Sequence, residues 1–158
     1  MTLRRPRVLI VGGGFGGLYA ARALKHSAVQ VTVVDRTNHH LFQPLLYQAA
    51  TATLAPSDIT APIRWLLRKQ DNADVVMADV ERIDVERRQA VADGGALVIA
   101  YDYLILAAGA SHSYFGHPEW ETVAPGLKSI DDAIRIRQRV LLGFERAEKT
   151  TDDAERQR

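Results

Sequence analysis

The chain has 158 residues, of which 47% are hydrophobic and 25% are charged, and its formal net charge is +1. These values fit one soluble globular domain, and the near-zero net charge argues against a general nucleic-acid binder. Because the chain has no cysteine, a disulfide framework, a thiolate metal site, an iron–sulfur cluster and a redox-active dithiol are all excluded.

The first part of the chain has a strand–turn–helix–strand pattern. Residues 8–11 form a short run with β-branched side chains between Pro6 and a glycine cluster, which predicts a buried strand of a parallel sheet. Good helix formers at residues 18–26 predict a helix. The apolar run at 29–34 predicts a second buried strand ending at Asp35, and the crossover between the two strands is expected to be right-handed.

The glycines of the turn match the dinucleotide fingerprint Gly12-x-Gly14-x-x-Gly17. The first glycine makes the tight turn, the second lets the backbone approach a pyrophosphate, and the third lets helix and strand pack closely. The following helix N-terminus offers unpaired N–H groups to the phosphates. Asp35 ends the next strand, where an acidic side chain accepts hydrogen bonds from ribose hydroxyls. The pattern predicts a bound dinucleotide and leaves FAD and NAD both open.

The segment after Asp35 contains weaker signals. Residues 36–58 are predicted to be irregular. A helix is expected at about 60–69, with Thr60 as its cap and Pro62 in its first turn, where proline is tolerated.

Residues 74–103 contain short β-rich pieces separated by turn residues, and they include the hairpin signal Asp93-Gly94. This composition predicts an antiparallel meander. Residues 104–106 are then predicted to form a further buried strand.

The last third of the chain predicts one long helix that begins near Ser129, with Asp132 placed to complete a capping box. Its apolar residues form one stripe: Ile130, Ala133, Ile134, Val140, Leu141, Phe144 and Ala147. The tail at 150–158 is wholly polar.

Together these elements predict an α/β fold, with a Rossmann-type parallel sheet, a helical layer and an antiparallel β-meander on the other side. A nicotinamide dehydrogenase would normally continue with alternating helices and parallel strands, so the meander favours FAD. Three alternatives stay open: an NAD-binding Rossmann domain without flavin, a non-catalytic domain that holds ADP-like ligands, and another FAD-dependent NAD(P)H oxidoreductase. Parallel strands with crossover helices over residues 74–103 would favour the first alternative.

The meander followed by residues 101–110 (YDYLILAAGA) resembles the FAD domain of the pyridine nucleotide-disulfide oxidoreductase-like flavoproteins. Within that group, two further blocks resemble the type II NADH:quinone oxidoreductases: residues 39–68, in which 41–54 are most diagnostic, and residues 114–129. The resemblance implies a Rossmann-type FAD/NAD(P)-binding fold and an FAD-dependent NADH dehydrogenase. In such an enzyme NADH reduces bound FAD by hydride transfer, and the reduced flavin passes two electrons to a membrane quinone without pumping protons.

The same resemblance implies which residues contact the cofactor. The pyrophosphate loop would consist of Gly12, Gly14, Phe15, Gly16 and Gly17. Asp35 would accept the ribose hydroxyls, and Arg36 would lie beside the adenosine.

Four further positions are implied more indirectly. Val80 matches the place where the family's backbone meets the adenine, and Leu45 lies in a segment that borders the isoalloxazine. Ala108 and Gly109 would lie near the pyrophosphate and the ribityl chain. The chain departs from many family members by having alanine, rather than threonine and glycine respectively, at Ala108 and Ala52. No catalytic acid or base and no metal ligand is assigned, and the adjacent His39 and His40 are interpreted as loop histidines near the cofactor.

The absence of cysteine also bears on the electron acceptor. Dithiol reductases of related architecture carry a cysteine pair after the ribose-binding strand, where this chain has residues 42–48 without cysteine. A diffusible quinone therefore fits better than a neighbouring disulfide, and sulfide:quinone oxidoreductases, which use cysteines, fit less well.

The resemblance also predicts the domain organisation. Residues 1–128 would form the first part of the FAD-binding domain, and residues 129–158 a helix and linker toward an NADH-binding domain absent from this chain. The expected partners are NADH and a quinone, without nucleic acid. The family implies peripheral membrane association through a missing C-terminal part, a cytoplasmic location at the membrane face, and a possible homodimer. The chain alone is expected to be inactive.

Overall fold

The computed structural model describes residues 4–152 and 154. Within this part of the chain the strands are β1 Arg7–Val11, β2 Gln30–Asp35, β3 His39–Leu41, β4 Thr60–Pro62, β5 Ala73–Met77, β6 Val80–Asp84, β7 Gln89–Ala92, β8 Leu97–Ala100 and β9 Tyr103–Leu106. The α-helices are α1 Phe15–Ala23, α2 Leu46–Ala50, α3 Ile63–Leu67 and α4 Ile130–Lys149. Short 3-10 helices lie at Gln43–Leu45, Pro56–Ile59, Asp93–Gly95 and Pro118–Thr122.

The chain divides into two compact units. The first consists of Met1–His40 and Ala61–Ala110, and the second of Leu41–Thr60 and Ser111–Arg158. The functional division predicted at residue 128 stays a prediction. Of the polar tail, residues 153 and 155–158 lie outside the described residues.

A four-stranded parallel sheet with the order β5–β2–β1–β9 forms the centre of the first unit. The side chains of β1 alternate between two cores, with Val8 and Ile10 in one and Leu9 in the other. All three are almost completely buried, as expected for a parallel strand covered on both faces. The strands predicted at 8–11, 29–34 and 104–106 are confirmed. The predicted burial of the third strand was wrong, because β9 lies at the edge of the sheet and its two end residues are exposed.

Helices cover one face of this sheet. α1 and α3 contribute the following buried residues to the core on this face: Leu18, Ala21, Ile63 and Leu67. α1 begins at Phe15, earlier than the predicted residue 18, because Gly16 and Gly17, the last two glycines of the turn, already belong to the helix. The predicted helical layer is therefore confirmed, with a boundary shifted by three residues.

The other core joins the parallel sheet to a three-stranded antiparallel sheet with the order β6–β7–β8. Ala90, Ala92 and Tyr101 are buried in it together with Leu9 and Val34 of the parallel sheet. The hairpin predicted at Asp93-Gly94 connects β7 to β8. The predicted combination of a parallel sheet and an antiparallel meander is confirmed.

The predicted extent of the meander was wrong at its start. β5 is a parallel edge strand next to β2, and the meander begins only at Val80. Val75 packs against one core and Val76 against the other, so β5 carries apolar side chains on both faces. Residues with this pattern belong in a covered parallel sheet rather than in a meander with one solvated face.

The prediction for residues 36–69 also needs correction. The segment predicted to be irregular contains β3, α2 and two 3-10 turns. Thr60 does not cap a helix, because it belongs to β4, which pairs with β3. Pro62 is still extended, with φ −58° and ψ 130°, and α3 starts only at Ile63. The proline ends the strand and sets the start of the helix.

The second unit has its own small core, formed by α2, α4 and the loops between them. Its buried residues are Leu46, Ala49, Ala50, Ile59 and Ala133. Only the first turns of α4 contribute to it, and Phe144 farther along the helix is 68% exposed. The predicted apolar stripe is thus only partly buried within the unit. No helix among the described residues is both long enough and apolar enough to span a membrane.

The predicted capping box of α4 is confirmed. The Asp132 backbone N–H donates to Ser129 Oγ at 3.2 Å, and the Ser129 N–H donates to Asp132 Oδ2 at 2.9 Å. Partial burial acts to raise the pKa of the Asp132 carboxyl. The hydrogen bonds from Ser129 and from the Lys128 backbone outweigh that effect, so the pKa lies below its ordinary value.

A buried asparagine fixes the connection between α1 and β2. Asn72 Nδ2 lies 3.0 to 3.3 Å from three backbone carbonyls, those of Leu24, Ser27 and Val29. Its Oδ1 accepts a hydrogen bond from Gln70 Nε2 at 3.0 Å. The Asn72 side chain is buried, so water does not readily replace the hydrogen bonds that it makes to these carbonyls.

We therefore expect Asn72→Ala to lower the free energy of unfolding by about 1–3 kcal/mol, the usual cost of leaving buried polar groups unsatisfied. Urea denaturation followed by circular dichroism measures this change. The matched control is Asn38→Ala, whose side chain is exposed and whose effect should stay within about 0.5 kcal/mol. An equal loss in both variants would contradict the role given to Asn72.

Candidate functional site

The glycine-rich turn lies at the carboxyl end of the parallel sheet. Gly12 N–H donates to the Val34 carbonyl at 2.7 Å, and Ala107 N–H donates to the Val11 carbonyl at 2.8 Å. These bonds hold the ends of β1, β2 and β9 side by side. In open sheets of this kind, ligands bind beyond the carboxyl ends of the strands.

Gly12 and Gly17 are required by close backbone contacts. Gly12 has φ +105°, which disfavours side chains, and a Cβ there would overlap the Ala107 carbonyl oxygen. A Cβ on Gly17 would overlap the carbonyl oxygen of Gly12. The first and third glycines of the fingerprint therefore have the turning and packing roles that the sequence predicts.

Gly14 differs from both. It is exposed, and in the described part of the chain no atom of a residue other than Gly14 and its two neighbours lies within 4 Å of a Cβ built on it. It is also the N-cap of α1, where no side chain of the described residues forms a capping hydrogen bond. Gly16 is exposed as well. The start of α1 is thus an accessible, electropositive helix terminus with free space above its backbone, which suits a phosphate group.

Asp35 bridges the turn and the end of β2. Its Oδ2 accepts a hydrogen bond from the Gly13 N–H at 2.6 Å. Its Oδ1 accepts from the Thr37 N–H and from Thr37 Oγ1, both at 2.7 Å. Asp35 is therefore next to the glycine turn, as the fingerprint predicts, and Arg36 follows it with an exposed side chain.

The sequence reasoning missed Gly13, and it interpreted His40 only as a loop histidine near the cofactor, whereas His40 lies in β3. Gly13 occupies an unspecified position of the fingerprint, yet it is buried. His40 Nδ1 lies 3.0 Å from the Gly13 carbonyl oxygen. The His40 ring also makes an edge contact with Phe15, at 4.9 Å between centroids. No local signal in residues 39–41, HHL, marks His40, which the structure buries between the less buried His39 and Leu41.

The predicted residues after β9 lie beside the same turn. A Cβ on Gly12 would approach the Ala108 backbone nitrogen, so Ala108 directly flanks the turn. Ala108 and Gly109 are both exposed, and Gly109 has φ +75°, a conformation that favours glycine. The structure thus brings Ala108 next to the fingerprint glycines, with Gly109 following it.

Val80 and Leu45, unlike the other predicted residues, do not lie directly beside the glycine turn in sequence or in the contacts described above. Val80 is the first residue of β6 and is half-buried against the core of the meander. The chain just before it is tied to β2, because Ala78 N–H donates to the Asp35 carbonyl at 3.0 Å. Leu45 belongs to the second unit, where it packs against the core that contains Leu46. Cofactor contacts by all eleven residues stay predictions.

The donor set fits a dinucleotide. A pyrophosphate needs N–H donors and close backbone approach, which the exposed start of α1 and Gly14 offer. A ribose needs a hydrogen-bond acceptor, which Asp35 offers. The parallel sheet, the glycine turn and the acidic residue at the end of β2 together define a Rossmann-type α/β fold.

The comparison with known families agrees with this class. Residues 6–147 match the Pyridine nucleotide-disulphide oxidoreductase family. Because the match covers most of the chain, the chain belongs to this family.

Two curated relatives from Mycobacterium tuberculosis are named type II NADH:quinone oxidoreductase NdhA and Ndh. They are 49% and 48% identical to the chain, with 98% and 97% of the chain covered. An external alternative NADH-ubiquinone oxidoreductase from Yarrowia lipolytica is 34% identical, with 98% of the chain and 28% of the relative covered. These matches confirm the resemblance inferred from the sequence blocks. The chain spans about a third of the two mycobacterial relatives, 33% and 34% of their lengths.

Solved structures have the same fold. The structure of NDH2 from Plasmodium falciparum in complex with NADH superposes with a TM-score of 0.84 at 25% identity, with 97% of this chain and 32% of that chain covered. The sulfide:quinone oxidoreductase from Aquifex aeolicus superposes with a TM-score of 0.73 at 22% identity, with 89% of this chain and 32% of that chain covered. The second likeness concerns the fold alone.

The different surroundings of the fingerprint glycines give a stability prediction. We expect Gly17→Ala to lower the free energy of unfolding by about 1–3 kcal/mol, because the new methyl group overlaps the Gly12 carbonyl. Gly14→Ala should change it by less than about 1 kcal/mol, because its methyl group enters open space and only the N-cap preference is lost. Thermal unfolding of both variants checks the difference, and equal destabilisation would contradict it.

Proposed function

We propose that this chain forms the FAD-binding part of an NADH:quinone oxidoreductase. The observation that carries the proposal is the accessible glycine turn at the end of β1, which is tied to Asp35 and flanked by Ala108. The names of the mycobacterial relatives support the reaction class.

In this proposal the chain's own residues bind and orient the cofactor. The start of α1 and Gly14 would hold the pyrophosphate, and Asp35 would accept the adenosine ribose hydroxyls. Arg36 and the backbone at Val80 would border the adenosine. The pyrophosphate and ribityl chain would pass Ala108 and Gly109.

The assignment of FAD rather than NAD rests on the meander. β6, β7 and β8 are antiparallel, and short turns join them. The alternative of an NAD-binding Rossmann domain predicted parallel strands with crossover helices over residues 74–103. Within that range β5 and the first residue of β9 belong to the parallel sheet, and no α-helix lies between these two strands.

The reaction would use the flavin as carrier between two substrates. When bound, FAD would accept a hydride from NADH and pass two electrons, with protons, to a quinone. With no cysteine in the chain, a neighbouring dithiol here cannot take these electrons. In the proposal the acceptor is a membrane quinone, and the whole protein associates with the cytoplasmic face of the membrane, as a possible homodimer.

The chain by itself should not complete this cycle. Hydride transfer requires FAD and NADH to be bound at the same time, but the sequence contains one GxGxxG fingerprint. We therefore expect no NADH:quinone turnover by the chain alone, measured as NADH absorbance loss with added FAD and a soluble quinone. Robust oxidation of NADH under these conditions would contradict the assignment.

The decisive test is equilibrium binding of FAD to the chain, followed by flavin fluorescence and by the visible spectrum after desalting. We expect saturable binding by the wild type. Gly14→Ala should weaken it by about tenfold or more, because the new methyl group occupies the space through which a pyrophosphate would approach.

The matched control is Gly143→Ala, because Gly143 also has open space around its Cβ position but lies within α4. This variant should bind FAD as the wild type does. Binding of NAD without FAD would favour the NAD-binding alternative, and binding of neither would contradict a dinucleotide site in this chain.

A further inference from the structure

Gly13 is held at both of its backbone polar groups. Its N–H donates to Asp35 Oδ2 at 2.6 Å, and its carbonyl oxygen lies 3.0 Å from His40 Nδ1. A Cβ on Gly13 would also overlap the Cδ1 atom of Ile63 in α3. The residue that the fingerprint leaves unspecified is thus fixed from three sides.

The contact with His40 determines where the imidazole carries its hydrogen. A backbone carbonyl only accepts hydrogen bonds, so Nδ1 of His40 must be the donor. His40 as a whole residue is 9% exposed, and it lies in β3, which pairs with β4. His40 is therefore a well-placed donor to the turn between β1 and α1.

The same ring connects the turn to the accessible end of α1. Phe15, in the first turn of α1, meets the His40 ring edge-to-face at an interplanar angle of 83°. One histidine side chain thus contacts the turn at Gly13 and the helix at Phe15. The His40 side chain therefore holds Gly13, in the turn, and Phe15, in the first turn of α1, in a fixed position relative to each other.

We propose that His40 is a positioning residue that holds the dinucleotide-binding turn in its binding conformation before the ligand arrives. This inference rests on the proposed function, because the turn is taken to be the pyrophosphate site. His40 does not need to touch the cofactor. Its hydrogen bond and ring contact keep the turn ordered, so less conformational freedom is lost when the ligand binds.

Two substitutions of His40 distinguish the effect of its hydrogen-bond donor from the effect of its side-chain volume. His40→Phe fills the same space without an Nδ1 donor, whereas His40→Asn supplies an Nδ2 donor close to the Nδ1 position. We expect His40→Phe to weaken FAD or ADP binding about tenfold, which corresponds to about 1.4 kcal/mol. His40→Asn should recover binding to within about threefold of the wild type.

His26→Phe is the matched control. His26 is exposed and lies three residues after the end of α1, whereas Gly13 precedes the start of that helix. This variant should bind FAD and ADP as the wild type does. Wild-type affinity in His40→Phe, or a folded His40→Asn that binds as weakly as His40→Phe, would overturn the proposal.

A second measurement does not depend on the cofactor. In ¹⁵N-labelled wild-type chain, long-range ¹H–¹⁵N spectra should show His40 with its hydrogen on Nδ1, and the Gly13 amide signal should shift in His40→Phe but not in His26→Phe. A neutral His40 with its hydrogen on Nε2 would overturn the proposal, even if every His40 variant failed to fold. If these spectra agree with the proposal while FAD and ADP both fail to bind, the proposed function fails and the positioning of the turn by His40 stands.

Discussion

The close approach of α1 to β1 is the constraint on which the rest of the first unit depends. The backbone of Gly17 lies so near the Gly12 carbonyl that a side chain at Gly17 does not fit. This contact lets α1 start immediately after β1 and pack on the sheet, so that Leu18 and Ala21 reach the core. It also turns the helix N-terminus toward the carboxyl end of the sheet. Core packing and an accessible helix terminus therefore have the same cause.

The two faces of the parallel sheet follow from the strand sequences. Because successive side chains alternate, the strands supply apolar side chains to both faces, and each face needs a cover. The helices cover one face with Leu18, Ile63 and Leu67, whereas the meander covers the other with Ala90 and Ala92. Small residues in β7 allow the second sheet to approach closely. The exposed end of the sheet stays available for a ligand.

The local features were predictable from the sequence, and the pairing of distant segments was less so. The glycine turn, Asp35 and the Ser129 capping box depend on residues within a few positions or on a known spacing, and the structure has all of them. β5 was misassigned, because β propensity does not identify a pairing partner. Its consecutive valines, Val75 and Val76, were the usable sign of a strand covered on both faces.

His40 shows a second limit of reasoning from sequence. Its role depends on a contact with Gly13, 27 positions earlier in the chain, which neither local pattern nor the fingerprint spacing encodes. The helix prediction at 60–69 failed for a related reason. Thr60 and Pro62 are locally compatible with a helix start, but pairing between β4 and β3 draws them into a strand. In both cases tertiary contacts outweigh the local preference.

The Asp35 carboxylate already holds the glycine turn, and a bound ribose would have to use the same carboxylate. A carboxylate has about four lone-pair positions, and Gly13 and Thr37 together use three of them. The remaining capacity suffices for a ribose hydroxyl, so holding the turn and binding a ligand are compatible. Removal of this carboxylate would disturb the turn and the ribose contact at once. Weaker binding by such a variant could therefore not be assigned to one of these two effects. His40 contacts the carbonyl oxygen of the same glycine. Substitutions of His40 therefore change the geometry of the turn but leave Asp35, the proposed ribose acceptor, in place.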